Sequence, residues 1–264
     1  MRALVTGVTR GIGRALVGHL VAGGWDVVAV GRRGDELHGL ADGWGPQVTP
    51  HVADVTDVEA LEDVVAASGP LDLVVANAGV LSGTGESWES DPQEWWDGVE
   101  VNLRGAYLTA RVVLPGMVAR GSGRLVLVTS GIGNAPGPWN SAYAASKAAV
   151  TVLGESLELE LSGTGVHCFP VSPGMVATDM TRFPQPLTRH RPELADIAPE
   201  RFTPVERVLG LVDEIASGRI DALAGRFVHA TDDLGELLAS WDPSDDRART
   251  LRLAPAYDGD PLAR

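Results

Sequence analysis

A glycine-rich segment near the start of the chain decides the fold, and it reads Thr6-Gly7-Val8-Thr9-Arg10-Gly11-Ile12-Gly13. An apolar strand pattern over residues 2–5 precedes it, and a helical pattern over residues 11–22 begins within it. The first glycine permits a tight turn off the strand, the second lets backbone approach a pyrophosphate, and the third lets the helix pack closely on the sheet. The free N–H groups of a helix N-terminus favour phosphate. The segment therefore predicts a dinucleotide site rather than an incidental flexible turn.

The chain up to about residue 171 continues this alternation of strand and helix. Short, buried strand patterns occur at residues 2–5, 26–30, 47–52, 71–76, 124–129 and 166–171. Helical patterns lie between them at residues 11–22, 36–40, 58–67, 92–120 and 142–161. Such alternation predicts a mostly parallel sheet with helices on both faces. We therefore expect one doubly wound, Rossmann-type α/β domain over residues 1–264.

The last third of the chain departs from that rhythm. Residues 181–204 contain five prolines and little continuous period, and we expect residues 179–204 to form a lid over the substrate. A helix is predicted at residues 206–217, a last strand at 225–228 and a further helical segment at 234–240. The remaining tail, residues 242–264, is rich in Asp, Arg and Pro, and we expect it at the surface or in an interface.

The composition excludes several classes of function. The formal net charge of −14 argues against a nucleic-acid binder and against adsorption to anionic membranes. Cys168 is the only cysteine, so no intrachain disulfide is possible, and no Cys/His cluster suggests a metal. No run approaches the ~20 apolar residues that cross a bilayer, and no signal peptide is evident. We therefore expect a cytoplasmic protein.

Further short motifs follow the predicted strands or lie on the predicted helices, in a fixed order. They are Asp54-Val55, Asn77-Ala78-Gly79, Val101-Asn102-Leu103, Ser130, Tyr143-x-x-x-Lys147 and Pro173-Gly174. Together with the Gly-x-x-x-Gly-x-Gly spacing of the first segment, this set resembles the short-chain dehydrogenase/reductase family in its single-domain branch. The resemblance implies contacts to a nicotinamide dinucleotide from Gly7, Thr9, Arg10, Gly11, Ile12, Gly13, Arg32, Asp54, Val55, Asn77, Ala78, Gly79, Tyr143, Lys147, Pro173, Gly174, Val176 and Thr178.

The end of the second strand bears on the choice between NAD and NADP. No carboxylate stands at its tip, and the dipeptide Arg32-Arg33 follows. Arg32 offers a planar fork to a 2′-phosphate, and Arg10 is placed to reach the same group from the other side. Basic residues at these places in the resembled family imply NADP(H). Two alternatives stay open: the arginines are solvated surface charges, or Asp35 and Glu36 reach a ribose hydroxyl and restore NAD binding.

Two cofactor residues have competing structural interpretations. Asp54 resembles the family's adenine-contacting carboxylate, but it is also placed to cap the helix that begins near Val58. Asn77 matches a residue that contacts the cofactor in the resembled family. A purely structural role for Asn77 in the central sheet is at least as well supported.

The second group of motifs predicts an acid/base centre. Tyr143 and Lys147 are four residues apart on a predicted helix, so they share a face, and we expect the ammonium to lower the pKa of the phenol. Ser130 ends a strand and is placed to donate to a substrate oxygen. In the resembled family, lysine binds the nicotinamide ribose, and the equivalent of Asn102 holds a water that links the lysine to solvent. An exposed or helix-bending role for Asn102 is the alternative.

The sequence therefore predicts an oxidoreductase that transfers a hydride between NADP(H) and a small-molecule carbonyl or alcohol, with Tyr143 as the acid/base residue. We expect Ile132, Trp139 and Asn140 to border the substrate, because they lie between Ser130 and Tyr143. The resemblance implies a homodimer or homotetramer formed through the helices at 92–120 and 142–161. The alternatives are an NAD-dependent alcohol dehydrogenase of the same fold, a related nucleotide-sugar epimerase or dehydratase, and a non-catalytic NADP-binding regulatory protein.

Overall fold

The computed structural model describes residues 1–242 and 249–250 of the chain. Across these residues, a parallel sheet has the strand order β3-β2-β1-β4-β5-β6-β7. Its strands are β1 Arg2–Thr6, β2 Asp26–Gly31, β3 Val48–Val52, β4 Leu73–Ala76, β5 Gly123–Val128, β6 Val166–Ser172 and β7 Val228–His229. The predicted doubly wound α/β fold is confirmed.

Helices connect the strands and cover both faces of the sheet. Their bounds are α1 Gly11–Ala22, α2 Gly34–Trp44, α3 Val58–Ser68, α4 Pro92–Val99, α5 Gly105–Arg120, α6 Ser141–Glu160, α7 Gln185–His190, α8 Val205–Ser217 and α9 Leu234–Ala239. The strand order reverses at β1, whose neighbours are β2 on one side and β4 on the other. In an open α/β sheet this reversal opens a crevice at the carboxyl ends of the strands, where ligands bind.

Two hydrophobic layers hold the helices to the sheet, because successive side chains on a strand point to opposite faces. Ala3 and Val5 of β1 belong to the layer under α1, α2 and α8. Leu4, between them, belongs to the layer under α3, α5 and α6. Each fully buried aliphatic side chain contributes about 1.5–3 kcal/mol to the free energy of unfolding. The apolar strand patterns of the sequence are thus explained by burial on both faces.

The helix predicted over residues 92–120 is present and contains an irregular turn. A π-helical turn, Glu100–Arg104, lies between α4 and α5 without a break, and the buried Asn102 lies at its centre. A π turn inserts one extra residue into the helical hydrogen-bond ladder and occurs frequently at functional sites. The predicted helix is therefore confirmed, and the turn that carries a candidate site residue departs from regular α-helix.

The C-terminal third also differs in detail from the predicted pattern. The segment predicted as a proline-rich lid contains the short helix α7 and several single 3-10 turns. The last strand is β7, Val228–His229, which begins later than the predicted residues 225–228. Most of the predicted tail, residues 242–264, lies outside the described residues.

Within residues 1–242 and 249–250, no helix is both long enough and apolar enough to span a membrane.

Candidate active site

A cleft opens at the carboxyl ends of β1, β2 and β4, where the strand order reverses. We name it the nucleotide cleft. Its lining includes the predicted cofactor residues Gly7, Thr9, Arg10, Gly11, Ile12, Arg32, Val55, Asn77, Ala78, Gly79 and Thr178. The other predicted cofactor residues lie outside this lining; they are Gly13, Asp54, Tyr143, Lys147, Pro173, Gly174 and Val176. The structure thus brings most of the predicted contacts to one crevice.

The glycines of the first segment shape this cleft by keeping backbone close to backbone. Gly7 has φ +72°, and a Cβ there would lie 2.8 Å from the Cα of Ala78. Gly11 has φ +56°, and a Cβ there would lie 3.2 Å from the Cγ2 of Thr178. Gly13 faces the carbonyl of Gly7, and a Cβ at this position would overlap that oxygen. Larger residues would therefore fill the cleft or push α1 away from the sheet.

The N-terminus of α1 is prepared for an anion. Arg10 stands at its N-cap without a side-chain capping bond, and the first turn contains no acidic residue. The helix α3 offers a contrast, because the Asp57 carboxylate accepts hydrogen bonds from the N–H groups of Glu59 and Ala60. Free N–H groups and the positive end of the helix dipole favour a phosphate at α1. The glycine turn and the uncapped helix therefore fit the diphosphate of a dinucleotide.

Arg32 and Arg10 both lie at the rim of the nucleotide cleft. Arg32 Nη1 lies 3.3 Å from Asp54 Oδ2, and Arg10 Nη1 lies 3.9 Å from Asp179 Oδ2. Both arginine side chains are more than half exposed, 57% for Arg32 and 55% for Arg10. Each pair is accessible to solvent, so these are weak ion pairs that a phosphate group would readily replace.

Asp54 does not cap α3, because Asp57 does. The alternative interpretation of Asp54 as an N-cap is therefore wrong. Its carboxylate instead accepts hydrogen bonds from the N–H and hydroxyl of Thr56, at 2.9 and 2.8 Å. Burial acts to raise the pKa of Asp54, but the bonds from Thr56 and the nearby Arg32 outweigh it, so the pKa lies below its ordinary value. An ionised carboxylate is thus held at the rim of the cleft.

Asn77 ties the turn after β1 to the turn after β4. Its Nδ2 donates to the carbonyls of Thr6 and Gly7, at 2.9 and 3.2 Å. The backbone N–H groups of Asn77 and Ala78 both donate to Thr6 Oγ1, each at 3.0 Å. These contacts support the structural interpretation of Asn77, which fixes the two loops that form the floor of the cleft.

The predicted acid/base residues lie at the end of β5 and on the first turns of α6. The Ser130 hydroxyl lies close enough to the Tyr143 phenol to affect its pKa. Lys147 is buried, its Nζ donates to the carbonyl of Val128 at 2.7 Å, and the same atom lies 5.7 Å from the centre of the Tyr143 ring. The structure therefore brings the hydroxyl, the phenol and the ammonium together.

The pKa of the Tyr143 phenol does not follow the prediction that Lys147 lowers it. Burial raises the pKa of Tyr143, and the Ser130 hydroxyl opposes that effect without cancelling it. The predicted lowering of the phenol's pKa is therefore wrong for the protein alone. Burial lowers the pKa of Lys147 to about 8, because the ammonium has lost its water.

Asn102 connects the π turn to the loop after β4 and to α6. Its Oδ1 accepts from the N–H of Val80 at 2.8 Å, and its Nδ2 donates to the carbonyl of Val80 at 2.9 Å and to Ser146 Oγ at 3.1 Å. A Cβ placed on Gly79 would lie 3.1 Å from Asn102 Oδ1 and 3.5 Å from Lys147 Nζ. The amide therefore lies near the ammonium, and the alternative of an exposed asparagine is wrong.

Ser172, at the end of β6, was not identified from the sequence. It is fully buried, and its Oγ accepts from the N–H of Gly131 at 3.1 Å and of Gly174 at 3.4 Å. It thereby ties the loop after Ser130 to the turn at Pro173-Gly174. The one signal in the sequence is a serine that ends an apolar strand, and this signal is weak because many buried serines simply bond to backbone.

The predicted substrate residues lie in the connection between β5 and α6. Ile132 belongs to the 3-10 turn after Ser130, and Trp139 stacks on His190 of α7. Asn140 is buried, and its Oδ1 lacks a hydrogen-bond partner among the described residues. On the opposite side, Gly174 has φ +73° and packs against Thr203, while Val176 is buried. Ile132, Trp139 and Asn140 thus lie in the connection that joins Ser130 to Tyr143.

Comparison with known proteins identifies the family. A sequence model described as short chain dehydrogenase matches residues 1–186. The chain belongs to the short-chain dehydrogenase/reductase family. A short chain dehydrogenase of Monascus ruber is 34% identical over 251 residues, which are 90% of this chain and 81% of that protein. An NADP-dependent 3-hydroxy acid dehydrogenase of Salmonella typhimurium is 33% identical over 180 residues, covering 67% of this chain and 73% of that one.

Solved structures agree with this assignment. A variant of actinorhodin polyketide ketoreductase, crystallised with NADPH, is 29% identical with a TM-score of 0.77, covering 86% of this chain and 94% of its own. Levodione reductase is 26% identical with a TM-score of 0.77, covering 91% and 98%. The protein is an oxidoreductase of this family with a nicotinamide cofactor. Across residues 1–242 and 249–250, no cluster of three or more His, Cys, Asp or Glu side chains could hold a metal ion.

Proposed function

We propose that the protein transfers a hydride between NADP(H) and a small carbonyl or alcohol, with Tyr143 as the acid/base residue. The observation that carries the proposal is the convergence of Tyr143, Ser130 and the buried Lys147, whose Nζ lies 5.7 Å from the centre of the Tyr143 ring. This group lies on the same edge of the sheet as the nucleotide cleft, because β5 is the neighbour of β4. A hydroxyl and a phenol that lie side by side can both bond to one substrate oxygen.

NADP(H) is proposed as the cofactor because of the charges at the rim of the cleft. Gly7, Gly11 and the first turn of α1 would hold the diphosphate, and Arg32 and Arg10 would hold the 2′-phosphate. When bound, the reduced nicotinamide supplies the hydride. The Salmonella relative is named as NADP-dependent, and the ketoreductase structure contains NADPH, which supports the same choice.

In the proposed mechanism, the residues of the chain hold the substrate oxygen and move a proton. Ser130 Oγ donates a hydrogen bond to the substrate carbonyl oxygen and stabilises the negative charge that develops on it. The raised pKa of Tyr143 keeps its phenol protonated at neutral pH, so it can donate its proton to that oxygen during reduction. Alcohol oxidation is the reverse, with the phenolate accepting the proton.

Lys147 and Asn102 are proposed to restore the proton on Tyr143. With a pKa lowered to about 8, the Lys147 ammonium gives up a proton more easily than an ordinary lysine does. Its Nζ is held by the carbonyl of Val128 and lies close to the Asn102 amide. Asn102 also fixes the Val80 backbone, so that the loop after β4 and the helix α6 keep one geometry around the ammonium.

Replacing Tyr143 by Phe tests the proposal. We expect Tyr143→Phe to lower kcat for carbonyl reduction by about 10³-fold, because a proton donor in the transition state is lost. The affinity for NADPH, measured by its fluorescence, should stay within about twofold. Tyr107→Phe on α5 is the matched control, since the Tyr107 side chain is 48% exposed, whereas the proposed catalytic residues Asn102 and Lys147 are buried. A panel of ketones and aldehydes, followed by NADPH absorbance, supplies the substrate. Full activity of Tyr143→Phe would refute the assignment.

A further inference from the structure

Three segments that are distant in the sequence meet at Trp139, a residue that we predict to border the substrate. The imidazole of His190, on α7, stacks on the indole of Trp139 with ring centroids 4.8 Å apart and an interplanar angle of 8°. The Nε2 of His190 also lies 2.9 Å from Glu86 Oε1, in the loop after β4. We name this group of Glu86, Trp139 and His190 the lid clasp. It joins the lid helix to both loops that border the predicted substrate space.

Backbone contacts reinforce the lid clasp. The N–H of Gly85 donates to the carbonyl of Trp139 at 2.8 Å, so the two loops are bonded to each other. Gly85 has φ +114°, and a Cβ there would lie 3.5 Å from the Cβ of Pro186 on α7. Leu187, the next residue of that helix, is buried. The helix α7 is therefore packed onto the loops rather than projecting into solvent.

The backbone of Trp139 is itself unusual. Its φ is +65°, in the left-handed region that bulky residues rarely adopt. Such a conformation costs about 1–3 kcal/mol and persists only where the surroundings hold it, which occurs most often at binding sites and switches. Here the stacked His190 and the bond from Gly85 hold it. The strain therefore gives a second, independent indication that this position is used.

The charged pair in the lid clasp is better shielded than most ion pairs on this surface. The side chains of His190 and Glu86 are 20% and 24% exposed, whereas those of Arg33 and Glu36 are 56% and 50% exposed. Shielded pairs and flat ring stacks contribute more to docking than exposed pairs do. The contact is thus strong enough to influence the position of a six-residue helix.

We propose that His190 is a positioning residue, which docks α7 over the substrate through the stack on Trp139 and the ion pair with Glu86. The kinetic part of this inference rests on the proposed function. With the clasp closed, α7 covers the space beside Tyr143 and a bound carbonyl is held in place. With the clasp open, the same substrate binds more weakly, while the nucleotide cleft is unaffected because none of the three residues lines it.

Charged groups surround His190. Glu86 faces it from the loop after β4, Arg189 precedes it on α7, and Arg191, the next residue, is paired with Glu193 at 2.8 Å. A bond from its own backbone, followed by His190 and Arg189, lowers the pKa of Glu86, so this carboxylate stays ionised in mildly acidic solution. An ionised Glu86 favours the close contact with His190 Nε2, which ties α7 to the loop after β4.

Hydrogen–deuterium exchange of the lid tests the docking without any assay of activity. In His190→Ala, the amides of α7 and its ends should exchange about tenfold faster than in the unchanged protein. The matched control is His19→Ala, which removes a different pair of a histidine and a carboxylate, His19 with Asp213 at 2.8 Å, between α1 and α8. That variant should leave lid exchange unchanged. Equal lid exchange in His190→Ala and the unchanged protein would overturn the proposal.

Kinetics test the positioning role. His190→Ala should raise KM for a carbonyl substrate about tenfold, with the affinity for NADPH within about twofold. His190→Phe keeps a ring to stack and should recover part of the loss. Glu86→Gln removes the charge but keeps a hydrogen-bond acceptor, and its KM should fall between those of the two His190 variants. An unchanged KM in His190→Ala would contradict the inference.

Trp139 itself provides a spectroscopic readout. The emission of Trp139 is the difference between the unchanged protein and Trp139→Phe. This emission should change in His190→Ala, which removes the stacked ring, and should change less in His190→Phe, which keeps a ring against the indole. An unchanged Trp139 emission in His190→Ala would overturn the proposal.

The two proposals fail in different ways. If no carbonyl consumes NADPH, the proposed function fails, but lid exchange and Trp139 fluorescence still decide the clasp. If His190→Ala unfolds, as circular dichroism would show, Glu86→Gln carries the same tests with a change of only one charge.

Discussion

On the nucleotide side of the cleft, the chain presents backbone and keeps side chains away, whereas on the substrate side it presents side chains held by contacts between distant segments. Gly7, Gly11 and the uncapped end of α1 form the first surface. The second depends on pairs such as His190 with Glu86, whose positions in the chain are far apart. A surface made of backbone suits a part common to all substrates of a family, the dinucleotide. A surface made of paired side chains can differ in each member.

The family model stops within the predicted lid. It ends at residue 186, before the end of α7. Loops that carry specificity vary in sequence more than the scaffold that holds them. In the lid clasp, His190 lies beyond the end of the model, whereas Glu86 and Trp139 lie within it. The predictions below separate the two sides by changing one at a time.

The largest expected effect is on the nucleotide side. Gly13→Ala should lower the free energy of unfolding by about 3 kcal/mol or more, because the added Cβ overlaps the Gly7 carbonyl and lies 2.6 Å from Asn77 Nδ2. Thermal denaturation measures this. Gly210→Ala on α8 is the control, since a Cβ there meets nothing within 4 Å and should stabilise the helix by up to about 1 kcal/mol. Similar melting temperatures for both variants would contradict the claim that the nucleotide side requires backbone without a side chain at Gly13.

The next effect concerns the rim of the same cleft. Arg32→Ala should weaken NADPH binding about tenfold and change NADH binding much less. The guanidinium is expected to bind the 2′-phosphate, which NADPH carries and NADH lacks. Fluorescence titration with both nucleotides gives the ratio. Arg111→Ala, which removes an equally exposed pair with Glu62 at 3.0 Å, serves as the control. If NADH weakens as much as NADPH, the cofactor choice must be revised toward NAD.

The last prediction concerns the pH dependence of carbonyl reduction, which involves Lys147 between the nucleotide side and the substrate side. Burial lowers the pKa of Lys147 to about 8, so the ammonium is present below that pH and is lost above it. Carbonyl reduction should therefore slow as the pH rises through about 8, by up to tenfold per pH unit. The raised pKa of Tyr143 keeps the phenol protonated over this range, so the change belongs to Lys147.

Steady-state kcat at saturating NADPH measures that profile. Lys147→Arg is the informative variant, because a guanidinium keeps its proton at these pH values. We expect it to be slower overall and to show no decline near pH 8. A flat profile in the unchanged protein would remove Lys147 from the proton path.

Much of the fold was predictable, and the exceptions have physical reasons. The strand patterns located β1, β2, β4, β5 and β6 because both faces of these strands are largely buried. They also located β3 at the edge of the sheet, where only Val48 is buried. The π turn at Asn102 was not predictable, since an extra residue in the hydrogen-bond ladder leaves the helical period nearly intact. The predicted homo-oligomer and cytoplasmic location stay predictions.

The candidate site follows the same division. Ser130, Tyr143 and Lys147 were found because each occupies a fixed distance along the chain from a strand end or from another member of the group. Ser172 and the partners of Arg32 were not found, because each contact joins strands or loops that only the folded sheet brings together.

Read without its structure, the chain already specifies a doubly wound sheet, a glycine turn for a diphosphate and a phenol–ammonium pair on one helix face. These features follow from backbone freedom, burial and helical spacing, which are properties of neighbouring residues. Folding alone determines that Asn102 is buried beside the ammonium, that burial raises the pKa of Tyr143, and that His190 meets Glu86 and Trp139. Those outcomes depend on which distant groups share one low-dielectric space, and no local pattern records that.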